Sequence, residues 1–327
     1  MHQISSSPRL FLPVAATIAA LLLTACGGER GGSEASAASP KFLIAAFTTL
    51  IEWSPDGSRS VIYSGGAGTF ARYPAVSPDG KQIAFSRQKV GAGADNDVGA
   101  DIFVLDRSSG EARELVHHPA PGQYLGSPMW VDGGKRLLYS VRGPDERGQP
   151  DLYIAGFDLS TGASRRIISA AAEPAISADG KKLTFVSLDS SLDSAELVTT
   201  NLDGSGRQTV VEVADGYVGI LSAVFSPDGK RIAFAARRRE EVTSRPLSGT
   251  ADAHPGTYEI YMVNRDGSGL GPFADIDDIN PSLSWSGDGK SLFVLGTSGI
   301  YQVESKGEKF ERLGEGVGNA QFVWLPD

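Results

Sequence analysis

The chain has 327 residues, 41% of them apolar, and a formal net charge of -9. That is enough apolar material for one large core or two small ones, and the acidic balance excludes a general electrostatic grip on nucleic acid. The 40 glycines and 18 prolines suit many short strands joined by tight turns better than a helical protein.

The first 25 residues read as an export signal. "MHQISSSPR" is basic, "LFLPVAATIAALLL" is too short to span a bilayer, and "LTACGG" follows at once. This last stretch resembles the bacterial lipoprotein box, which implies that Cys26 is acylated and becomes the first residue of the mature protein. Gly27 stands where an aspartate would resemble an inner-membrane retention signal, so the resemblance implies the outer membrane, with the body facing the periplasm. Cys26 is also the only cysteine, which excludes a disulfide within the chain. Residues 27–40, "GGERGGSEASAASP", are small and polar and read as a tether, with a root-mean-square span of about 20 Å for a flexible coil.

From residue 41 a strand–turn–strand phrase recurs. Asp-Gly turns at Asp79, Asp132, Asp179, Asp228 and Asp288 stand 53, 47, 49 and 60 residues apart. A second hairpin follows each, as in "DIFVLDRSSGEARELV" at 101 and "EIYMVNRDGSGLGPF" at 259. Two hairpins per period of about 48 residues predict four-stranded propeller blades, six in all. Ser-Pro-Asp-Gly suits a tight reversal because Pro presets φ, Ser and Asp bond nearby N–H groups, and Gly accepts positive φ.

"EWSPDGSRSVIYS" at 52 breaks the spacing, its aspartate lying only 23 residues before Asp79. It is a copy of the second hairpin, so it supplies the third and fourth strands of a blade whose second strand is "KFLIAAFTT" at 41. The missing innermost strand is "NAQFVWLPD" at the other end of the chain. The expectation is an all-β, six-bladed β-propeller over 41–327, closed by the C-terminal strand joining the N-terminal blade.

The "PAVSPDGKQIAFSR…DIFVLD" pattern resembles the PD40, or WD40-like, repeats of the TolB propeller and of the N-terminal propellers of prolyl oligopeptidase-type peptidases. The resemblance covers nearly all of 41–327 and implies the fold more than any activity.

Loops between second and third strands are long: 88–100, 143–150, 188–194 and 237–257. They define one face, and because binding residues concentrate on such loops, that face carries the candidate residues, His117 and His118 following the outer strand of the second blade. These are Asp95, Asp97, Asp101, His117, His118, the basic run Arg237, Arg238 and Arg239, and His254. Asp95, Asp97 and Asp101 offer oxygens to calcium, but their spacing departs from a calcium-binding helix-loop-helix motif and suits a solvated loop better. His117 and His118 lie too far from His254 around a ring to share a zinc, so all three are expected to be exposed. The acidic group Asp275, Asp277 and Asp278 reads as a solvated loop. "GDGKS" at 287 lacks the upstream glycine of a phosphate loop, since Ser284 and Trp285 stand there, and no G-x-S-x-G, H-E-x-x-H or CxxC pattern occurs. Trp130, Phe225, Trp285 and Trp324, on innermost strands, are expected to pack between blades.

With no catalytic set or cofactor indicated, the sequence points to a lipid-anchored envelope binding or scaffold protein for a protein, peptide or cell-wall partner. A glycan lyase or hydrolase, or a small-ligand sensor using the central channel, is the alternative.

Overall fold

A computed structural model describes residues 40–89, 98–145, 147–188, 195–239, 257–307, 309–318 and 320–325. β1 (Lys41–Ala46), β2 (Thr49–Trp53) and β3 (Arg59–Ser64) form an antiparallel sheet with the last strand, β24 (Gln321–Leu325), in the order β24-β1-β2-β3. β4 (Thr69–Val76), β5 (Gln82–Lys89), β6 (Ala100–Asp106) and β7 (Ala112–Val116) follow as a second antiparallel set. β8 (Tyr124–Val131), β9 (Arg136–Pro144), β10 (Pro150–Asp158) and β11 (Ala163–Ser169) are a third, joined to the second by a single parallel bridge between Ala100 and Tyr124.

Three more four-stranded sheets run in chain order. They are β12 (Ala171–Ile176), β13 (Lys182–Leu188), β14 (Ala195–Asn201) and β15 (Gln208–Val211); β16 (Tyr217–Phe225), β17 (Arg231–Arg238), β18 (Tyr258–Asn264) and β19 (Gly271–Asp278); and β20 (Ser282–Trp285), β21 (Ser291–Leu295), β22 (Ile300–Glu304) and β23 (Phe310–Gly314). The leading strands touch in a closed cycle, β4 to β8, β12, β16, β20, β24 and back to β4. The arrangement is a β-propeller of four-stranded antiparallel blades, and ring closure covers the sheet faces that a linear array would leave exposed at its two ends.

The turn chemistry explains why these segments pair as they do. Ser77 Oγ donates to Asp79 Oδ1 at 2.6 Å, the Lys81 N–H donates to the same oxygen at 3.1 Å, and Gly80 takes a φ of 71°. The same bonds recur at Ser177 and Asp179, Ser226 and Asp228, and Ser286 and Asp288. The Lys290 N–H and the Ser286 hydroxyl hold the Asp288 carboxyl down at about 2, so the turn stays anionic and bonded at ordinary pH. The β8–β9 turn departs from this pattern: Val131 replaces the serine, a short 3-10 turn spans Asp132–Gly134, and Asp132 pairs with Arg136.

The core lies between neighbouring sheets. Trp130, Phe225 and Trp285 are all buried, and the Trp130 indole donates to the Ala75 carbonyl on the adjacent β4 at 3.0 Å. Trp324 packs edge-on against the position of Gly287, where a Cβ would lie 2.7 Å from its ring. At the closure, Phe42 pairs with Trp324 and Ile44 with Phe322 across the β1–β24 ladder. The Phe42 ring has no exposed surface and meets Trp53, Phe293 and Phe322 with centroids at 5.8, 4.7 and 5.4 Å. Truncating it removes contacts from both chain ends and from β21 at once. Phe42→Ala is expected to cost about 3–5 kcal/mol in urea unfolding; a loss under about 1 kcal/mol would show that this junction is not packed.

Candidate functional site

Four of the leading strands, β4, β8, β12 and β16, carry an irregularity within their length. Register shifts interrupt the pairing at Arg72/Ala75 in β4, Gly126/Met129 in β8, Ala172/Ala175 in β12 and Leu221/Val224 in β16. Within each lies one non-glycine residue with left-handed backbone: Tyr73, Ser127, Glu173 and Ser222, with φ between 47° and 52°. Such conformations cost roughly 1–3 kcal/mol each and persist where the surroundings over-determine them. All four stand four residues before the first residue of the following turn, and Gln321 and Ser282 occupy the same register in β24 and β20.

These residues link neighbouring sheets. Gln321 Oε1 accepts the Tyr73 N–H at 3.3 Å, the Glu173 carboxylate accepts the Ser222 N–H, and Ser282 Oγ accepts the Phe322 N–H at 3.4 Å. A side chain on one leading strand thus satisfies a backbone donor on the next, and on β4 and β16 that donor lies within the irregularity.

A cavity of about 240 Å³ opens over three of these positions. Its wall includes Arg72, Tyr73, Gln88, Tyr124, Ser127, Arg142 and Glu173. Gly126 leaves room for it, because a Cβ there would lie 3.3 Å from the Tyr73 ring. The Ser140 hydroxyl donates to the Gly126 carbonyl at 3.1 Å and Gln123 Nε2 donates to the Pro144 carbonyl at 2.8 Å, fixing the wall. The cavity lies at the starts of the leading strands, the end opposite the Ser-x-Asp-Gly turns.

The electrostatics are those of an acid enclosed among cations. Glu173 keeps some surface toward the cavity, but protein surrounds it, and that burial pushes its carboxyl up despite the nearby Arg142 and the Ser222 N–H. Glu173 and burial in turn push Tyr73 up to about 12. Arg142 lies 5.9 Å from the Tyr124 ring centroid, and the buried Nε of Arg72 has no hydrogen-bond partner among the described residues. Two guanidiniums, two phenols and one carboxyl therefore line a single cavity.

The sequence candidates fare unevenly. Asp95, Asp97, His254 and Cys26 lie outside the described residues. Arg237 and Arg238, at the end of β17, stack over Tyr258 and Tyr217 at 4.8 and 4.7 Å, and the Arg239 N–H donates to the Gly216 carbonyl at 2.8 Å. Asp278 is not solvated: its carboxylate accepts the N–H and hydroxyl of both Thr297 and Ser298, and those bonds outweigh burial to hold it below the usual range. His117 is exposed as expected, but His118 and Asp101 are buried, which corrects the reading of His118 as a surface histidine. Asp101 faces imidazole nitrogens, a donor set unlike the all-oxygen shell of calcium. An open groove of about 490 Å³ beside β3, lined by Val61, Tyr63, Arg87 and Ala112, gathers no acid and no histidine.

No family model and no curated relative matches the chain. The fold is similar to that of TolB. TolB from Acinetobacter baumannii aligns at 18% identity over 88% of this chain and 67% of its own, with a TM-score of 0.61. A second TolB-like protein, from Agrobacterium tumefaciens, aligns at 16% identity over 88% of this chain and all (100%) of its own, with a TM-score of 0.58. An oligogalacturonate lyase in complex with manganese aligns at 14% identity over 84% and 78% of the two chains, with a TM-score of 0.54. At these identities the likeness shows the TolB-like fold alone.

Glu173 supplies a test of the cavity's electrostatics. A carboxyl raised in the folded state contributes stability that is fully present below its unfolded pKa, about 4.3, and lost as pH rises through the folded value. Glu173→Gln stays neutral and keeps an acceptor for the Ser222 N–H. Its melting temperature relative to the parent should therefore rise between pH 4 and pH 8; a difference that does not change with pH would contradict the assignment.

Proposed function

We propose that this protein is a six-bladed, lipid-anchored binding module of the bacterial envelope that holds a peptide segment of a partner at the mouth of its channel. The cavity over Tyr73, Ser127 and Glu173 carries the reading. A peptide offers carbonyl or carboxylate oxygens to Arg72 and Arg142 and an N–H or ammonium to Glu173, and Tyr124 provides an aromatic wall. A single carboxyl among the described lining residues suits recognition better than glycoside cleavage, which needs a pair about 5–10 Å apart.

The blade count rests on the closed cycle of leading strands, with the bridged β4–β11 sheet taken as two blades. The anchor rests on Cys26 in its "LTACGG" setting, and no helix among the described residues is long and apolar enough to cross a membrane. Lys41 pairs with Leu325 at the Ser-x-Asp-Gly end of the ring. A tether ahead of Lys41 then holds that end toward the lipid and presents the cavity outward to the periplasm.

A photo-crosslinker at Gln149, in the turn after the strand that carries Arg142, should capture a partner polypeptide in intact envelopes. Arg142→Ala should lower that yield about tenfold, since a charge-assisted bond contributes about 1.5–3 kcal/mol. Capture by the variant equal to the parent, or cleavage of an envelope polysaccharide by the parent chain, would overturn the reading.

A further inference from the structure

Asp101 stands second in β6, and its carboxylate is almost fully buried. Immediately after β7 the chain turns back over it with His117 and His118. The Nδ1 atoms of His118 and His117 lie 2.6 and 3.1 Å from the same oxygen, Asp101 Oδ1, which also accepts the His118 backbone N–H at 2.9 Å. Glu114 Oε1, on β7, is 3.5 Å from His117 Nδ1.

Three nitrogens converging on one carboxylate oxygen crowd more donors onto it than its lone pairs accommodate, if both Nδ1 atoms carry protons. Turned the other way, with Nδ1 lone pairs facing the oxygen, the same three atoms repel unless a cation sits among them. Two imidazoles and a carboxylate, all within 4.8 Å of one another, are the borderline donor set of a zinc-class ion. Zinc holds such donors at about 2.0–2.2 Å, so neighbouring ligand atoms stand about 3.3 Å apart in a tetrahedron. The His117 separation is already close to that, and the His118 separation needs to widen by roughly 0.7 Å.

We infer that Asp101, His117 and His118 form a binding site for a divalent zinc-class metal ion, with the fourth position left to water or a ligand. The site ties β6 to the segment that leads into β8. It lies beside the Ala100–Tyr124 bridge, and both bridging residues line the cavity, so the ion fixes one wall of the binding mouth. The inference concerns a different set of side chains from the cavity and stands whether or not a peptide binds there.

The test uses the full chain stripped with chelator and then titrated with Zn2+ or Co2+ alone. One ion per chain should bind, Co2+ should give the intense visible absorption of a tetrahedral site, and Zn2+ should raise the melting temperature because it binds the folded form. His117→Ala, at an exposed position, should weaken Zn2+ affinity about tenfold or more while leaving the circular dichroism spectrum intact. No uptake by the parent chain, equal uptake by His117→Ala, or preference for Ca2+ over Zn2+ would overturn the site.

Discussion

The architecture depends on one antiparallel ladder, β24 against β1. Every other sheet is built from consecutive hairpins and forms locally, but this one joins residues from opposite ends of the chain. Its formation has a large loop-closure cost, and the packed aromatic junction of Phe42, Phe293, Phe322 and Trp53 offsets it. Without the ladder, β1 and β20 would each expose a flank, and the leading strands would not meet in a cycle.

Closure also creates the site. Once the leading strands face one axis, a single register position on each becomes a ring of polar side chains, and the ring supplies acceptors for backbone donors on the next strand. Tyr73, Ser127, Glu173 and Ser222 hold left-handed backbone that an isolated hairpin would release. At Tyr73 and Ser222 it is sustained by a side chain of a neighbouring leading strand, so the geometry of the cavity is a property of the assembled ring. Arg72 and Arg142 reach the same space from β4 and β9, which belong to successive antiparallel sets of strands.

Much of the fold was legible because the turns are chemically distinctive. Ser77, Asp79 and Gly80 each have a role that few other residues fill, and their repetition reports the period directly. The half-interval before Asp79 also shows which strand the N-terminal blade lacks, and β24 fills that gap beside β1. The site was less legible, since Tyr73, Ser127, Glu173 and Ser222 share no residue type. The available signal was positional: one residue, four before the turn, followed by proline in three of the four cases. Long loops drew attention instead, and Arg237 and Arg238 proved to be stacked on aromatic rings. The burial of His118 and Asp101 is not legible in the sequence, because it requires the chain to fold back over β6 after β7.

Native-state hydrogen exchange tests the closing ladder most directly. The amides of Leu43 and Val323, paired across β1 and β24, should exchange as slowly as those of Phe85 and Phe234 in the cores of β5 and β17, through global unfolding only. Exchange of Val323 orders of magnitude faster, as for a fraying terminus, would contradict a ring held shut by its two ends.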